Sequence, residues 1–341
     1  MKQVKTEDAV GHVLCHDITE IIPNMTKGVA FPKGHIVRAE DIPRLLDMGK
    51  SNLFVWEQDS TKYHEDEGAE ILREICQNQG MEASLPKEGK IDLMALYDGL
   101  FVVDIPRLRQ INGQGEMMVA TRSTLTPVKK GDKLCGTRVI PLLIDKEKMN
   151  SVKTLVGKDP ILSLFPLKKK KFAIIVTGGE VFHGRIQDQF SPVLIQKMKE
   201  FSCELIDVIL CDDDHQSITE NILTMKTQGA EMILCTGGMS VDPDDKTPLA
   251  IKNTGAKVVS YGAPVLPGAM FLLAYLEGGI PVCGLPGCVM YAKRTIFDIV
   301  LPLLLADYKV TTDYLAGLGN GGLCLSCENC HFPNCNFGTG I

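Results

Sequence analysis

From residue 172 onward the chain repeats one pattern: a short apolar run, a turn rich in glycine or aspartate, then a stretch with helical spacing. The apolar runs fall at 172–176, 204–210, 232–235, 258–261 and 280–284, and helical stretches lie at 192–201, 216–228, 248–254 and 291–306. This alternation of strand and helix predicts a mostly parallel sheet with crossover helices. Val193, Leu194, Met198 and Phe201 share one face of the first helix, as a helix packed on a sheet requires.

The rhythm upstream is different. Short strands at 53–56, 117–121 and 138–144 are separated by Gly, Pro and Asp turns. Helices are expected at 39–48, with Glu40 and Asp41 in the first turn and Gly49 past the end, and at 67–78 before Gly80. Lys168 to Lys171 mark the boundary and read as a solvated linker. The expected organisation is an α+β region at 1–165, an α/β domain at 166–310 and a tail at 311–341. Lys and Arg total 36 against 42 Asp and Glu, a net charge of −6, which gives no support to a general nucleic-acid or anionic-membrane surface. Acidic residues stand where a secretory segment would be apolar and no stretch is long enough to span a bilayer, so a cytoplasmic protein is expected.

Ligands of open parallel sheets bind beyond the carboxyl ends of the strands, so the residues following each strand carry the information. The first strand leads into Thr177, Gly178, Gly179 and Glu180, the second into Asp212, Asp213 and Asp214, and the third into Gly237, Gly238, Met239 and Ser240, followed by Asp242, Asp244 and Asp245. Pro267 and Gly268 follow the fourth, and Pro286 and Gly287 the fifth. Paired glycines let backbone approach a ligand, and a helix start beyond them offers free N–H groups to phosphate. One such turn is commonly a tight strand-to-helix connection. Two on one sheet, with two Pro-Gly turns, point to an anion pocket. Carboxylates beside a phosphate call for a divalent cation, and Mg²⁺ held by one or two of them with phosphate oxygens meets that need. The alternative for Asp212 to Asp214 and for Asp245 is helix capping.

As an ordered set these motifs resemble the molybdopterin-binding domain of the molybdopterin molybdotransferase (MoeA-like) family over residues 170–306. Asp8-Ala-Val-Gly, Phe31-Pro-Lys-Gly-His35 and the segment 41–49 are similar to that family's leading segment. The resemblance implies a three-layer α/β/α domain, often dimeric, that takes up molybdate, cleaves the adenylyl group of adenylylated molybdopterin with a divalent metal, and releases molybdenum cofactor and AMP. It further implies that Asp212 or Asp213 and Asp245 are the metal and molybdate-side groups and that Asp212, Asp213 and Asp245 carry the catalysis. Thr177, Gly178, Gly179, Glu180, Gly237, Gly238 and Ser240 would be the phosphate and pterin turns, with Pro267, Gly268, Pro286 and Gly287 as the Pro-Gly turns. The implied partners are pterin and molybdate, a second copy of the chain, and a molybdoenzyme acceptor. Three departures bear on catalysis. Ser240-Val-Asp242 replaces Ser-Val-Gly, Leu285-Pro-Gly-Cys-Val289 replaces Leu-Pro-Gly-Asn-Pro, and no room follows residue 310 for the family's β-rich C-terminal domain. A non-catalytic cofactor carrier, or a metal-dependent hydrolase of nucleotide pyrophosphates, are the alternatives.

Twelve cysteines divide into eight single ones and four crowded at the end: Cys324-x₂-Cys327-x₂-Cys330-x₄-Cys335. That spacing suits one Zn²⁺ or an iron–sulfur cluster, with His331 as a substitute ligand; it differs from the bacterial ferredoxin run, whose last gap is one residue shorter and is followed by proline, and the alternative is a flexible reduced tail.

Overall fold

The computed structural model describes residues 1–22, 26–57, 59–240, 242–243 and 245–340. The chain folds into two compact units, one of residues 1–96, 103–122 and 130–164, the other of 97–102, 123–129 and 165–341. No described helix is long and apolar enough to cross a membrane.

In the first unit, strand Lys2–Lys5 pairs antiparallel with Asn52–Val55, and Ile18–Ile22 with Thr26–Phe31. Leu14, Phe31, Val37, Leu45 and Leu53 form the core between them. The expected first helix is a 3-10 turn, Ala39–Asp41, running into helix Ile42–Asp47, and the second is Glu65–Cys76. A four-stranded antiparallel sheet follows in the order Met81–Ala83, Lys90–Ala95, Lys133–Val139, Met117–Thr121. The strand expected at 138–144 is in fact the end of Lys133–Val139 and a separate strand, Leu143–Asp145, which pairs with Lys62–His64. Pro141 falls between them, and a residue without an N–H interrupts a ladder.

Helix Glu65–Cys76 starts from His64, whose Nδ1 accepts from Asp66 N–H at 3.2 Å and from Lys33 Nζ at 3.0 Å, while its Nε2–H donates to Cys15 O at 2.9 Å. Glu65, buried at 8% exposure, has its carboxyl pushed up to about 7, chiefly by burial and then by neighbouring Asp66. A carboxyl whose folded pKa lies above its unfolded value binds its proton more tightly when folded, so the stabilisation is full below about pH 4.5 and fades as pH rises through 7. Unfolding between pH 5 and 8 should therefore show a loss on the order of 2 kcal/mol that Glu65→Gln removes; an unchanged pH profile in Glu65→Gln would exclude this group as the cause.

The second unit carries a six-stranded sheet: β1 (Lys171–Thr177), β2 (Glu204–Cys211), β3 (Met232–Thr236), β4 (Lys257–Tyr261), β5 (Leu272–Tyr275) and β6 (Pro281–Leu285), in the spatial order β2-β1-β3-β6-β5-β4. The first four in that order are mutually parallel, and β5 runs antiparallel to both neighbours. Along β1, Phe172, Ile174 and Val176 join one core with Leu194, Met198 and Phe297, while Ala173 and Ile175 join another with Ile218, Ile222 and Ile251. The period-two alternation thus buries both faces, and the domain has three layers, α/β/α. Helices α2 (Phe190–Lys199) and α5 (Ile296–Leu305) cover one face, and α3 (His215–Thr227) and α4 (Thr247–Asn253) the other, with the short α1 (Gly179–Phe182) following β1.

Three features differ from the sequence reading. Strand β5 has no helix before it, so the strand–helix rhythm did not disclose it. The helix expected over 291–306 begins only at Ile296, where Thr295 and Asp298 cap each other's backbone: Asp298 Oδ2 accepts from Thr295 N–H at 2.7 Å. Lys170 is buried and pairs with Asp307, which the exposed Lys168 also meets, so one of the four lysines is held rather than solvated.

The tail is docked. Leu323 bridges in parallel to Leu266, and Cys324 N–H donates to Leu266 O at 2.8 Å. A short helix, α6 (Thr312–Gly317), precedes it. Phe337 is buried in the core of the domain, where a Cβ on Gly338 would meet Ile299 at 2.9 Å. The tail is thus held by the backbone bridge at Leu323 and by burial of Phe337.

Candidate functional site

The chain passes from β1 outward to β2 and returns to β3 on the other side of β1, so the sheet reverses its order between β1 and β3. The carboxyl ends at such a switch leave a crevice. Thr177 and Gly237 meet there. Gly237 has φ +83°, and a Cβ on it would lie 2.0 Å from Thr177 O, so only glycine permits this approach. Thr247, at the start of α4, locks the turns: its Oγ1 donates to Gly237 O at 2.8 Å and lies 3.1 Å from Thr177 Oγ1. Thr236 Oγ1, fully buried one residue before the turn, has no hydrogen-bond partner among the described residues.

A cavity of about 490 Å³ opens beside these turns. Of the expected residues, Gly237, Gly238, Ser240, Asp245, Pro286 and Gly287 line it. Asp245 accepts from Asp242 N–H at 2.9 Å, and its own N–H returns to Asp242 O at 2.9 Å, so the carboxylate closes a turn at the cavity rim. Asp244 lies outside the described residues.

The other expected residues are elsewhere. Asp213 Oδ2 accepts from Gly179 N–H at 2.8 Å, and Asp212 Oδ1 from Asp213 N–H at 2.9 Å, with His183 Nε2 3.7 Å from Asp212 Oδ2. The α1 start expected to meet phosphate thus faces a carboxylate of its own chain. Asp214 caps α3 through Ser217 N–H at 2.8 Å. Thr177, Gly178, Gly179 and Glu180 are not on the wall of the cavity. Gly268, with φ +126°, has a tighter role in packing, since a Cβ there would meet Ile296 at 2.5 Å. Pro267 lines a second cavity of about 730 Å³, together with Cys324, Cys327, Cys330 and Cys335.

Among the described residues, three potential ligand atoms lie within 4.8 Å of one another at His64, Glu65 and Asp66, and at neither the aspartates nor the tail cysteines. Lys33 Nζ stands 2.9 Å from Asp66 and 3.0 Å from His64 Nδ1, so an ammonium already serves as the cation of that cluster.

Several wall residues had no sequence signal strong enough to single them out. Phe190, Met239, Met270, Cys288, Met290 and Tyr291 give the cavity an apolar side, suited to a planar heterocycle. Burial raises the Cys288 thiol above its usual range, which keeps it protonated at neutral pH. Tyr261, at the end of β4, donates to Met239 O at 3.0 Å and Ser240 O at 3.1 Å, holding the glycine loop, and its phenol is pushed up by burial and by Asp245.

The chain is similar to several known proteins. Residues 3–57 match a domain of unknown function, DUF8806. A CinA-like protein of Mycolicibacterium vanbaalenii is 38% identical over 74 residues, 22% of this chain and 18% of the relative. A molybdopterin molybdenumtransferase of Synechococcus elongatus is 25% identical over 182 residues, 50% of this chain and 42% of the relative. The chain thus spans well under two thirds of the curated relatives it matches. Among solved structures, the tungsten cofactor synthesizing protein MoaB of Pyrococcus furiosus aligns at TM-score 0.33 and 18% identity, covering 40% of this chain and 91% of that one. Residues 173–306, which hold the switch-point cavity, match the family described as "Probable molybdopterin binding domain".

Proposed function

We propose that the α/β domain binds molybdopterin in the switch-point cavity and that the protein acts in molybdenum cofactor biosynthesis as a molybdotransferase, inserting molybdate into adenylylated molybdopterin with release of AMP. The observation that supports this best is the cavity itself: glycine-rich backbone and Ser240 on one side, an apolar side for the pterin ring, and, among the described residues, one carboxylate, Asp245, at the rim. Gly237 and Gly238 let backbone approach phosphate, and Ser240 supplies a hydroxyl. Asp245 is the residue that would hold Mg²⁺ with ligand oxygens and waters; Asp213 accepts from Gly179 N–H and is not on the wall of this cavity. Magnesium, when bound, neutralises the phosphates and polarises them.

The engagement of Asp213 with Gly179 favours a second reading, a carrier that binds finished cofactor without cleaving an adenylyl group. The two separate on one experiment: AMP release from adenylylated molybdopterin on adding molybdate and Mg²⁺, against a control without molybdate. Molybdate-dependent AMP supports the transferase, and bound pterin with no AMP overturns it in favour of the carrier. Asp245→Asn is expected to lower AMP release at least about 100-fold while pterin affinity stays within a few-fold, because asparagine keeps an oxygen for Asp242 N–H and loses only the charge. An equal collapse of binding would make Asp245 a structural residue.

A further inference from the structure

The four tail cysteines are all free and all line the same cavity, which the proposed pterin site does not use. Two of them, Cys324 and Cys335, pack against the domain core, and Cys327 and Cys330 are exposed. The segment carrying them is pinned at both ends. Cys324 N–H donates to Leu266 O at 2.8 Å at its start, and Gly338 N–H donates to Gly321 O at 3.0 Å at its end. Between these anchors, Lys293 Nζ donates to Glu328 O at 2.7 Å and the Arg294 guanidinium lies over the Phe332 ring. Much of the entropy cost of gathering four ligands is thereby met by packing before any ligand arrives.

The spacing of the thiols discriminates between ligands. A tetrahedral ion with metal–sulfur bonds of about 2.3 Å requires thiolates roughly 3.8 Å apart. No three of these sulfurs lie within 4.8 Å of one another, although they share a cavity of about 730 Å³. A cubane cluster separates its thiolates more widely, because each binds a different iron. The run of three cysteines at two-residue intervals is that of cluster-binding chains, and differs from paired Cys-x₂-Cys knuckles. Charge agrees: a cluster with four thiolates is anionic, and Lys293 stands on the cavity wall.

We propose that Cys324, Cys327, Cys330 and Cys335 hold a [4Fe–4S] cluster in this cavity, directly beside the pterin cavity. Tyr291 lines both cavities, and the turn that gives Pro267 to one gives Ala269 and Met270 to the other. Binding of the cluster stands on the tail alone; its effect on pterin rests on the function proposed above.

The test uses the full chain, handled anaerobically and supplied with sulfide and equal amounts of ferrous and ferric iron, which together give the two Fe(II) and two Fe(III) of the cluster without a further oxidant, with an equimolar mixture of iron and zinc as a second arm. The expected result is about four iron and four labile sulfide per chain, with broad visible absorption that bleaches in air. Cys327→Ser and Cys330→Ser should each abolish that absorption with an unchanged far-ultraviolet circular dichroism spectrum, since both side chains are exposed. One zinc per chain retained in preference to iron would overturn the cluster, as would iron uptake that survives both substitutions, or no uptake at all. Molybdopterin added to the loaded protein should perturb the cluster spectrum. Pterin that binds without perturbing it overturns the coupling of the two sites, whereas a parent chain that binds pterin but forms no cluster overturns this proposal and leaves the pterin site standing.

Discussion

Gly237→Ala is expected to lower stability by about 3 to 4 kcal/mol and to remove pterin binding, because a Cβ at this position would sit 2.0 Å from a backbone carbonyl, Thr177 O, at φ +83°. Neither the carbonyl nor the β3 turn can yield separately. Thr247 ties Gly237 O and Thr177 Oγ1 together, so the displacement must spread to the start of α4. Gly284→Ala is the informative comparison. Its Cβ would meet Met239 Cε and Sδ at 2.6 Å, the far end of a flexible side chain that can move, and its φ is not in the left-handed region. A cost of about 1 kcal/mol is expected there. Denaturant midpoints for both variants, with pterin affinity measured on each, check the pair; a Gly237→Ala protein within about 1 kcal/mol of the parent would refute the locked turn.

Lys197→Met is expected to cost about 3 kcal/mol. Lys197 and Asp298 are 6% and 4% exposed, with Nζ 2.7 Å from Asp298 Oδ1, and removing one member of a buried pair strands the other. Arg294 remains 2.9 Å from the same oxygen but is shared with Glu200 at 3.1 Å, so it offsets only part of the loss. Asp298 also caps α5 through Thr295 N–H, and the ten residues of that helix are all buried. The combination of Lys197→Met with Asp298→Asn removes the stranded charge and keeps the capping oxygen, so it should be more stable than Lys197→Met alone. Chemical denaturation of the two single variants and the double variant gives the coupling directly, and additive effects would show that the pair does not interact energetically.

The pair matters beyond stability. Lys197 Nζ also donates to Lys293 O at 3.1 Å, so the buried charge fixes the segment from Met290 to Arg294 that contributes walls to both cavities. Loosening it is expected to show at the pterin cavity and at the cysteine cavity together.

Much of the α/β domain could be read from the chain alone because its central strands β1, β3 and β6 are buried on both faces. An apolar run such as Phe172 to Val176 has no soluble alternative, and the intervening helices carry one apolar face each, so rhythm and period leave little choice of layer. Strand β5 escaped because it joins the sheet through a meander, where no crossover helix announces it. The first unit is less readable for a related reason: its strands are short, one face of each meets solvent, and a residue such as Pro141 splits what looks like one run into two.

At the site the division is different. The sequence by itself determined which turns carry glycine, where the carboxylates cluster and that four cysteines travel together, since these depend only on spacing along the chain. Which of them meet was decided by the tertiary structure. The reversal of strand order between β1 and β3 brings Gly237, Ser240 and Asp245 to one cavity with Pro286 and Gly287, and turns Asp213 inward to Gly179 N–H. The docking of the tail through Leu323 and Phe337 brings the cysteines beside that cavity. Neither follows from spacing, because each depends on contacts between residues tens of positions apart, and those are set by burial of apolar surface throughout the domain.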